Sequence, residues 1–148
     1  MIEGRVRKMT PLLHALRNIA DQYHIAELLV FGSRAGEIAG RVRGVPVVAL
    51  HAVSDVDVGV RSEAGYPLTV RDKANLAAAL EDLFDVGRVD LVALEEADPF
   101  LAAEVIRGER LFARDDYAAD EYELYVLRRA GDLAPFERER IALILGEG

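Results

Sequence analysis

The sequence of 148 residues predicts an α/β protein in which one sheet is followed by a helical tail. The first observation is the strict alternation of valines with Asp, Asp and Gly between positions 54 and 60, which is the period-two pattern of a strand. The second is the helical spacing of apolar residues over positions 68–84. The third is the order of the segments, because strand and helix patterns take turns along the chain before an entirely helical end.

The first two elements are predicted by their boundaries as much as by their apolar residues. Thr10 and Pro11 are typical of the N-cap and first position of a helix, and apolar residues recur at helical spacing to about Tyr23. A short apolar run over residues 27–31 is closed by Gly32 and Ser33. This pattern predicts a buried strand that ends in a turn.

The segment after this turn is rich in glycine and arginine. Glycines at positions 32, 36, 40 and 44 predict a loose backbone, and Arg34, Arg41 and Arg43 make it a basic loop in an acidic protein. Residues 45–50 predict an edge strand, because proline is tolerated at an edge and not in the centre of a sheet. The whole stretch from Arg34 to Ser54 is therefore expected to form a hairpin or an extra edge strand.

The remaining elements follow in regular order. The helix over residues 68–84 is expected to stop at Gly87, and residues 88–94 predict the next strand. Asp98 and Pro99 begin a helix over 100–107, which is followed by a short strand over 110–113. The tail predicts two helices, over 117–129 and 135–145. We expect a single domain over residues 1–148, with a core at about 10–113 and a tail at about 116–146.

Composition excludes several classes of protein. A formal charge of −8 argues against a protein that mainly wraps nucleic acid, because such binding needs a basic surface. The absence of cysteine excludes disulfides, thiolate metal sites and cysteine nucleophiles. No apolar run approaches the roughly 18 residues of a membrane helix, and the first residues lack a signal-peptide pattern. We therefore expect a cytoplasmic protein without a membrane partner.

Three carboxylates stand out as candidate functional groups. The period-two pattern places Asp55 and Asp57 on one face of their strand, and Asp90 lies on the strand after the intervening helix. Carboxylates buried or half-buried on a sheet need a cation, and oxygen ligands without His or Cys suit Mg²⁺ or Mn²⁺. The turn at Gly32 and Ser33 offers backbone N–H groups that can hold phosphates.

Arg34 lies one residue past this turn and has two interpretations. Its guanidinium matches the geometry of a phosphate, so it is a candidate nucleotide-binding residue. It is equally compatible with an exposed loop arginine.

These motifs together resemble the minimal nucleotidyltransferases of the polymerase-β superfamily. The resemblance rests on Phe31-Gly32-Ser33-Arg34-Ala35, on Ser54-Asp55-Val56-Asp57-Val58 and on Val89-Asp90-Leu91-Val92. It implies a polymerase-β-like nucleotidyltransferase fold, a small mixed sheet with helices packed on one side. It also implies transfer of a nucleoside monophosphate, usually AMP from ATP, to a hydroxyl group. The chain is most similar to the antitoxin branch, whose members are paired with helical HEPN toxins.

The resemblance also implies roles for individual residues. Gly32 and Ser33 would hold the phosphates, and Asp55 and Asp57 would bind two Mg²⁺ ions. Asp90 would complete the metal site and help to activate the acceptor hydroxyl. In the family the first carboxylate follows the turn after about ten residues, whereas here residues 34–54 intervene, 21 in number. This extra segment could be an extension, an arm that docks a partner, or a flap over the nucleotide.

Three hypotheses for function follow from the motifs and the resemblance. The first is a Mg²⁺-dependent nucleotidyltransferase that adds AMP to a HEPN-type partner protein, with ATP as donor. The second is a binding-only antitoxin or scaffold that does not catalyse transfer. The third is a nucleotidyltransferase that acts on a small molecule of the aminoglycoside type. Either a homo-oligomer or a hetero-oligomer is compatible with the sequence.

Overall fold

A computed structural model describes residues 9–46 and 55–146 of the chain. Its strands are β1 (Ile25–Phe31), β2 (Val56–Ser62), β3 (Val89–Ala93) and β4 (Glu109–Ala113). Its helices are α1 (Pro11–Gln22), α2 (Ala35–Val42), α3 (Val70–Phe84), α4 (Pro99–Ile106) and α5 (Asp116–Ile144). None of these helices is both long enough and apolar enough to cross a membrane.

The four strands form one mixed sheet in the order β3-β2-β1-β4. Strand β1 is antiparallel to both β2 and β4, while β2 and β3 are parallel. The end of β1 therefore lies at the same edge of the sheet as the beginnings of β2, β3 and β4. Asp57 is opposite Phe31 on one side and opposite Asp90 on the other.

Helices cover both faces of this sheet. One face packs against α1, α2 and α3 in a core that includes Leu16, Ile38, Val58 and Phe84. The other face packs against α4 and α5 around residues such as Val105. The expectation of helices on one side only was wrong, because every residue of β1 is buried and the central strand therefore needs cover on both faces.

The predicted helices α1, α3 and α4 are confirmed, and their caps explain their limits. The Thr10 hydroxyl accepts a hydrogen bond from the Leu13 N–H at 3.1 Å, and the Asp98 carboxylate accepts from two N–H groups in the first turn of α4. Helix α3 begins at Val70 and ends at Phe84, the predicted last residue, but the residue that caps it is not Gly87. Its C-cap is Asp85, which adopts a left-handed backbone with φ of 54°.

The segment after the turn is a helix, so the prediction of a loose loop or hairpin was wrong for residues 35–42. Ile38, Ala39 and Val42 lie on one side of α2 and are buried in the core. This burial stabilises the helix although glycine lowers helix propensity. Val45 and Pro46 belong to neither a helix nor a strand, and the rest of the predicted edge strand, residues 47–50, lies outside the described residues.

The tail is one continuous helix rather than the two that were predicted. Helix α5 spans 29 residues and contains Pro135 in its interior. Proline removes one N–H donor, but the hydrogen bonds on either side of it persist. The buried residues of α5 are Ala119, Val126 and Ala130, so the proline lies in the part of the helix that packs least against the body.

A buried ionic cluster joins α5 to the sheet. The side chain of Glu27 on β1 is fully buried, and its two carboxylate oxygens lie 3.5 Å from Arg61 and from Arg110. Arg110 also contacts Glu123 of α5 at 2.6 Å, and the guanidinium of Arg61 lies over the ring of Tyr122. Burial, reinforced by the neighbouring Glu123 carboxylate, raises the pKa of Glu27 from 4.5 to about 8 despite the two arginines.

Candidate functional site

The structure brings the three predicted carboxylates to one edge of the sheet. Asp57 and Asp90 are register partners on the parallel strands β2 and β3, and Asp55 immediately precedes β2. The side chains of Asp55 and Asp90 are 45% and 42% exposed. They are therefore accessible to a ligand from solvent.

Asp57 lies deepest of the three and experiences the most negative surroundings. Partial burial raises its pKa, and the charges of Asp90, Asp55 and Glu104 raise it further. Ionisation of Asp57 is therefore opposed both by burial and by repulsion from these neighbouring carboxylates. A bound cation would relieve that repulsion.

Arg88 partly neutralises the same group of carboxylates. Its guanidinium lies 3.1 Å from Asp90 and 3.8 Å from Asp55, and its side chain is 68% exposed. Such exposed ion pairs are each worth about 0–1 kcal/mol, so an incoming cation can displace Arg88 at low cost. The sequence contained a signal for this contact, because Arg88 and Asp90 are two residues apart in a strand pattern and so share a face.

Gly32 forms the other side of the site and touches Asp57. It has a positive φ of 79°, and a Cβ atom added there would lie 2.5 Å from the Asp57 carboxylate oxygen. Both the backbone conformation and the close approach therefore require glycine. Ser33 follows it and is exposed, and Ala35 then begins α2. The turn and the first N–H groups of α2 thus lie beside the carboxylates.

Arg34 is placed differently from its neighbours in the turn. Its side chain is 5% exposed, and its guanidinium contacts the Glu37 carboxylate at 2.8 Å. Arg41 binds the same carboxylate at 2.8 Å and donates a hydrogen bond to the Phe84 carbonyl. These pairs tie α2 to the end of α3. The role of Arg34 in nucleotide binding remains a prediction.

A cavity of about 440 Å³ lies between this turn and the end of α4. It is lined on one side by the turn and the start of α2, and on the other by the end of α4 and the start of β4. The lining residues are Phe31, Gly32, Ala35, Gly36, Glu104, Arg107, Gly108 and Glu109. Glu104 and Arg107 were not predicted as site residues, because no local sequence pattern shows that the end of α4 faces the turn. Their position follows from the pairing of β4 with β1, which brings the α4–β4 junction beside Phe31.

The donor set fits a divalent cation of the oxygen-binding kind. Among the described residues, no three His, Asp or Glu side chains converge into a ready-made metal site. Asp55, Asp57 and Asp90 nevertheless provide carboxylate oxygens on one edge, and the crowding that raises the pKa of Asp57 favours a cation there. Displacement of Arg88 would free two of these carboxylates for metal ligation.

The fold and this edge together define a nucleotidyltransferase. The chain matches the family described as polymerase beta, nucleotidyltransferase, over residues 14–117, and it belongs to that family. The resemblance stated from the sequence motifs is thus confirmed. No curated protein is similar enough to the chain to count as a relative.

Solved structures of toxin–antitoxin complexes share the fold. A complex with AMP-PNP contains a chain that is 18% identical, with a TM-score of 0.69 and coverage of 90% of this chain and 98% of that chain. The MntA–HepT pair contains one that is 16% identical, with a TM-score of 0.64 and coverage of 90% and 97%. A third is the tri-AMPylated HEPN toxin of Shewanella oneidensis in complex with its MNT antitoxin, at 17% identity, TM-score 0.64 and coverage of 90% and 96%.

Proposed function

We propose that this protein transfers AMP from ATP to a hydroxyl group of a HEPN-type partner protein and thereby acts as an antitoxin. The observation that carries the proposal is the packing of the Gly32 turn directly against Asp57, with Asp55 and Asp90 at the same edge. A turn whose N–H groups can bind phosphates, next to carboxylates of the kind that bind metal ions, supports this activity. The AMPylated toxin in one similar complex and the AMP-PNP in another support the choice of acceptor and donor.

The protein's own residues hold the reactants in this mechanism. Backbone N–H groups at Gly32 and Ser33 bind the triphosphate, and the small turn lets it approach Asp57. Asp55, Asp57 and Asp90 would hold two Mg²⁺ ions, with Mn²⁺ as a possible substitute. When bound, these ions supply positive charge to the reacting phosphate and to the attacking and leaving oxygens.

Asp90 has a second role at the acceptor. It lies on β3 next to Asp57 and is open to solvent, so an incoming hydroxyl can reach it. Its carboxylate assists removal of the proton from that hydroxyl as the oxygen forms its bond to the α-phosphorus. The bond from the α-phosphorus to the bridging oxygen then breaks, and pyrophosphate leaves. Most of the acceleration comes from positioning and charge neutralisation.

The test is intact-mass analysis of a HEPN-type protein after incubation with this protein, ATP and Mg²⁺. We expect the partner to gain the mass of one or more AMP groups. Asp57→Asn should reduce the initial rate by at least about a hundredfold, the scale of losing a group that stabilises charge in the transition state. Asp82→Asn is the matched control, because Asp82 is an exposed aspartate of α3 that does not belong to the group of three carboxylates.

The outcomes separate the candidate functions. Transfer at the wild-type rate by Asp57→Asn would show that the site is assigned wrongly. Binding of the partner without any adduct, and without Mg²⁺-dependent ATP binding, would favour a non-catalytic antitoxin.

A further inference from the structure

We infer that Arg107 binds the β- and γ-phosphates of the nucleotide, an inference that rests on the proposed function. Arg107 follows the last residue of α4 and lines the cavity that Gly32 lines from the other side. The side chain is exposed, so its guanidinium can reach a ligand in that cavity. It would be a substrate-binding residue for the proposed transfer.

The position of the cavity assigns it to the far end of the triphosphate. Gly32 both contacts Asp57 and lines the cavity, and the Glu104 carboxylate of the cavity acts on Asp57, so this space adjoins the carboxylates. Neither Asp55 nor Asp90 lines it. If the α-phosphate lies by the carboxylates, where transfer occurs, the next two phosphates extend past the turn into the cavity.

The walls of the cavity leave room for a ligand of this kind. The turn side consists of Gly32, Ala35 and Gly36, which have little or no side chain. A Cβ atom at Gly36 would meet nothing within 4 Å, so the space beside it is open. The backbone is therefore accessible to phosphate oxygens along this wall.

The charges around the cavity select Arg107 among the nearby arginines. Arg34 and Arg41 both contact Glu37, and Arg43 pairs with Glu109 at 3.8 Å. In the part of the chain that the structure describes, none of the ion pairs includes Arg107. Glu104 and Glu109 both line the cavity, so a polyphosphate entering it needs a cation at this wall.

Guanidinium chemistry suits this task. Its planar group donates two parallel hydrogen bonds to phosphate oxygens, which a lysine ammonium cannot reproduce. An arginine at this place would also bind the pyrophosphate product, because that product contains the same two phosphates. It would not contact AMP, whose single phosphate lies at the carboxylates. Arg107 would therefore favour the binding of ATP and pyrophosphate and have no effect on the binding of AMP.

The experiment compares binding of ATP, AMP and pyrophosphate to the full chain in the presence of Mg²⁺. We expect Arg107→Ala to weaken the binding of ATP and of pyrophosphate by about tenfold to a hundredfold, which is the scale of losing hydrogen bonds to a charged group. The affinity for AMP should be unchanged. Arg107→Lys should bind ATP and pyrophosphate with intermediate affinity, because lysine keeps the positive charge but lacks the planar guanidinium group. Arg71→Ala is the matched control, because Arg71 is an exposed arginine in the first turn of α3 and does not line the cavity.

A purely structural role for Arg107 makes different predictions. A cation near the C-terminus of a helix stabilises the helix dipole, and losing it would lower the melting temperature and affect every ligand alike. Equal weakening of ATP and AMP would overturn the inference, as would unchanged ATP binding by Arg107→Ala. Those results leave AMP transfer by the wild type intact, whereas a wild type that binds no ATP would contradict the inference and the proposed function together.

Discussion

Gly32 is the residue on which the site depends most directly. Its positive φ and its contact with the Asp57 carboxylate are two independent requirements that glycine alone meets. The turn can therefore bring its N–H groups next to a metal-type ligand without a side chain between them. The site therefore depends on the lack of a side chain at position 32 as well as on the three aspartates.

Gly32→Ala is expected to weaken ATP binding in Mg²⁺ by about tenfold or more, which corresponds to about 1.4 kcal/mol. The added Cβ atom would lie 2.5 Å from the Asp57 oxygen, so the turn or the carboxylate must move. Strain of the backbone should also lower the free energy of unfolding by about 1–3 kcal/mol. Isothermal titration calorimetry and urea unfolding measure the two effects.

Gly131→Ala provides the comparison for this variant. Gly131 lies in α5, and an added Cβ atom would meet nothing within 4 Å there. It should leave ATP binding unchanged and stabilise the helix by about 0.5–1 kcal/mol. Tight ATP binding by Gly32→Ala would show that the turn does not hold the phosphates.

Residues were predictable where a short-range pattern determined their position. Asp57 and Asp90 lie on the predicted strands because a strand alternates its side chains, whereas Asp55, predicted on the same strand as Asp57, lies just before β2. The burial of Arg34 was not predictable, because it depends on the pairing with Glu37, which becomes possible only when α2 forms. Arg107 was missed for a related reason, since its place beside Gly32 results from the pairing of β4 with β1.

Among the elements, α4 determines the shape of the cleft. It rests on β2 at Gly59, where an added Cβ atom would lie 2.3 Å from a methyl group of Val105. This contact lets the helix sit close to the sheet and directs its end toward the turn. A displacement of α4 would move both Glu104 and Arg107.

Gly59→Ala is expected to destabilise the fold by about 1–3 kcal/mol, the range for adding a methyl group to a packed core. The double variant Gly59→Ala/Val105→Ala removes the atoms that clash and should recover much of that loss. Urea unfolding of the wild type, both single variants and the double variant measures the coupling between the two sites. Additive effects of the two substitutions would show that the helix does not rest on Gly59.

Elements were less predictable than residues wherever local propensity and tertiary packing disagree. Glycine content predicted a loop in place of α2, but burial of Ile38, Ala39 and Val42 stabilises a helix there. Gly131 and Pro135 predicted a break in the tail, but α5 continues through both residues as one helix. The four strands of the sheet were predicted well from their apolar patterns. The other three helices were predicted well because their apolar periodicity and their capping residues indicate the same helix.

For the molecule as a whole, the Glu27 cluster makes stability depend on pH. The fully buried carboxyl of Glu27 is faced by Arg61 from β2, Arg110 from β4, and Glu123 and Tyr122 from α5. Its pKa is about 8 in the folded state and 4.5 ordinarily. Because the folded pKa is the higher one, the contribution to stability is full below pH 4.5 and is lost as the pH rises through 8.

Glu27→Gln tests this dependence, because glutamine keeps the shape of the side chain and does not ionise. We expect the free energy of unfolding of the wild type, relative to the variant, to fall steadily between about pH 5 and pH 8 and then to level off. Urea unfolding across this pH range gives the difference directly. A difference that rises with pH would show that the two arginines hold Glu27 ionised.

The ion pairs of Arg88 with Asp55 and Asp90 affect the charge balance of the folded protein. Folding brings three negative groups to one edge of the sheet, and this arginine supplies an internal counter-ion for two of them. The proposed binding of metal would exchange one positive partner for another. Because each of the exposed ion pairs that it replaces is worth only about 0–1 kcal/mol, metal supply would govern how many molecules are active more than how many are folded.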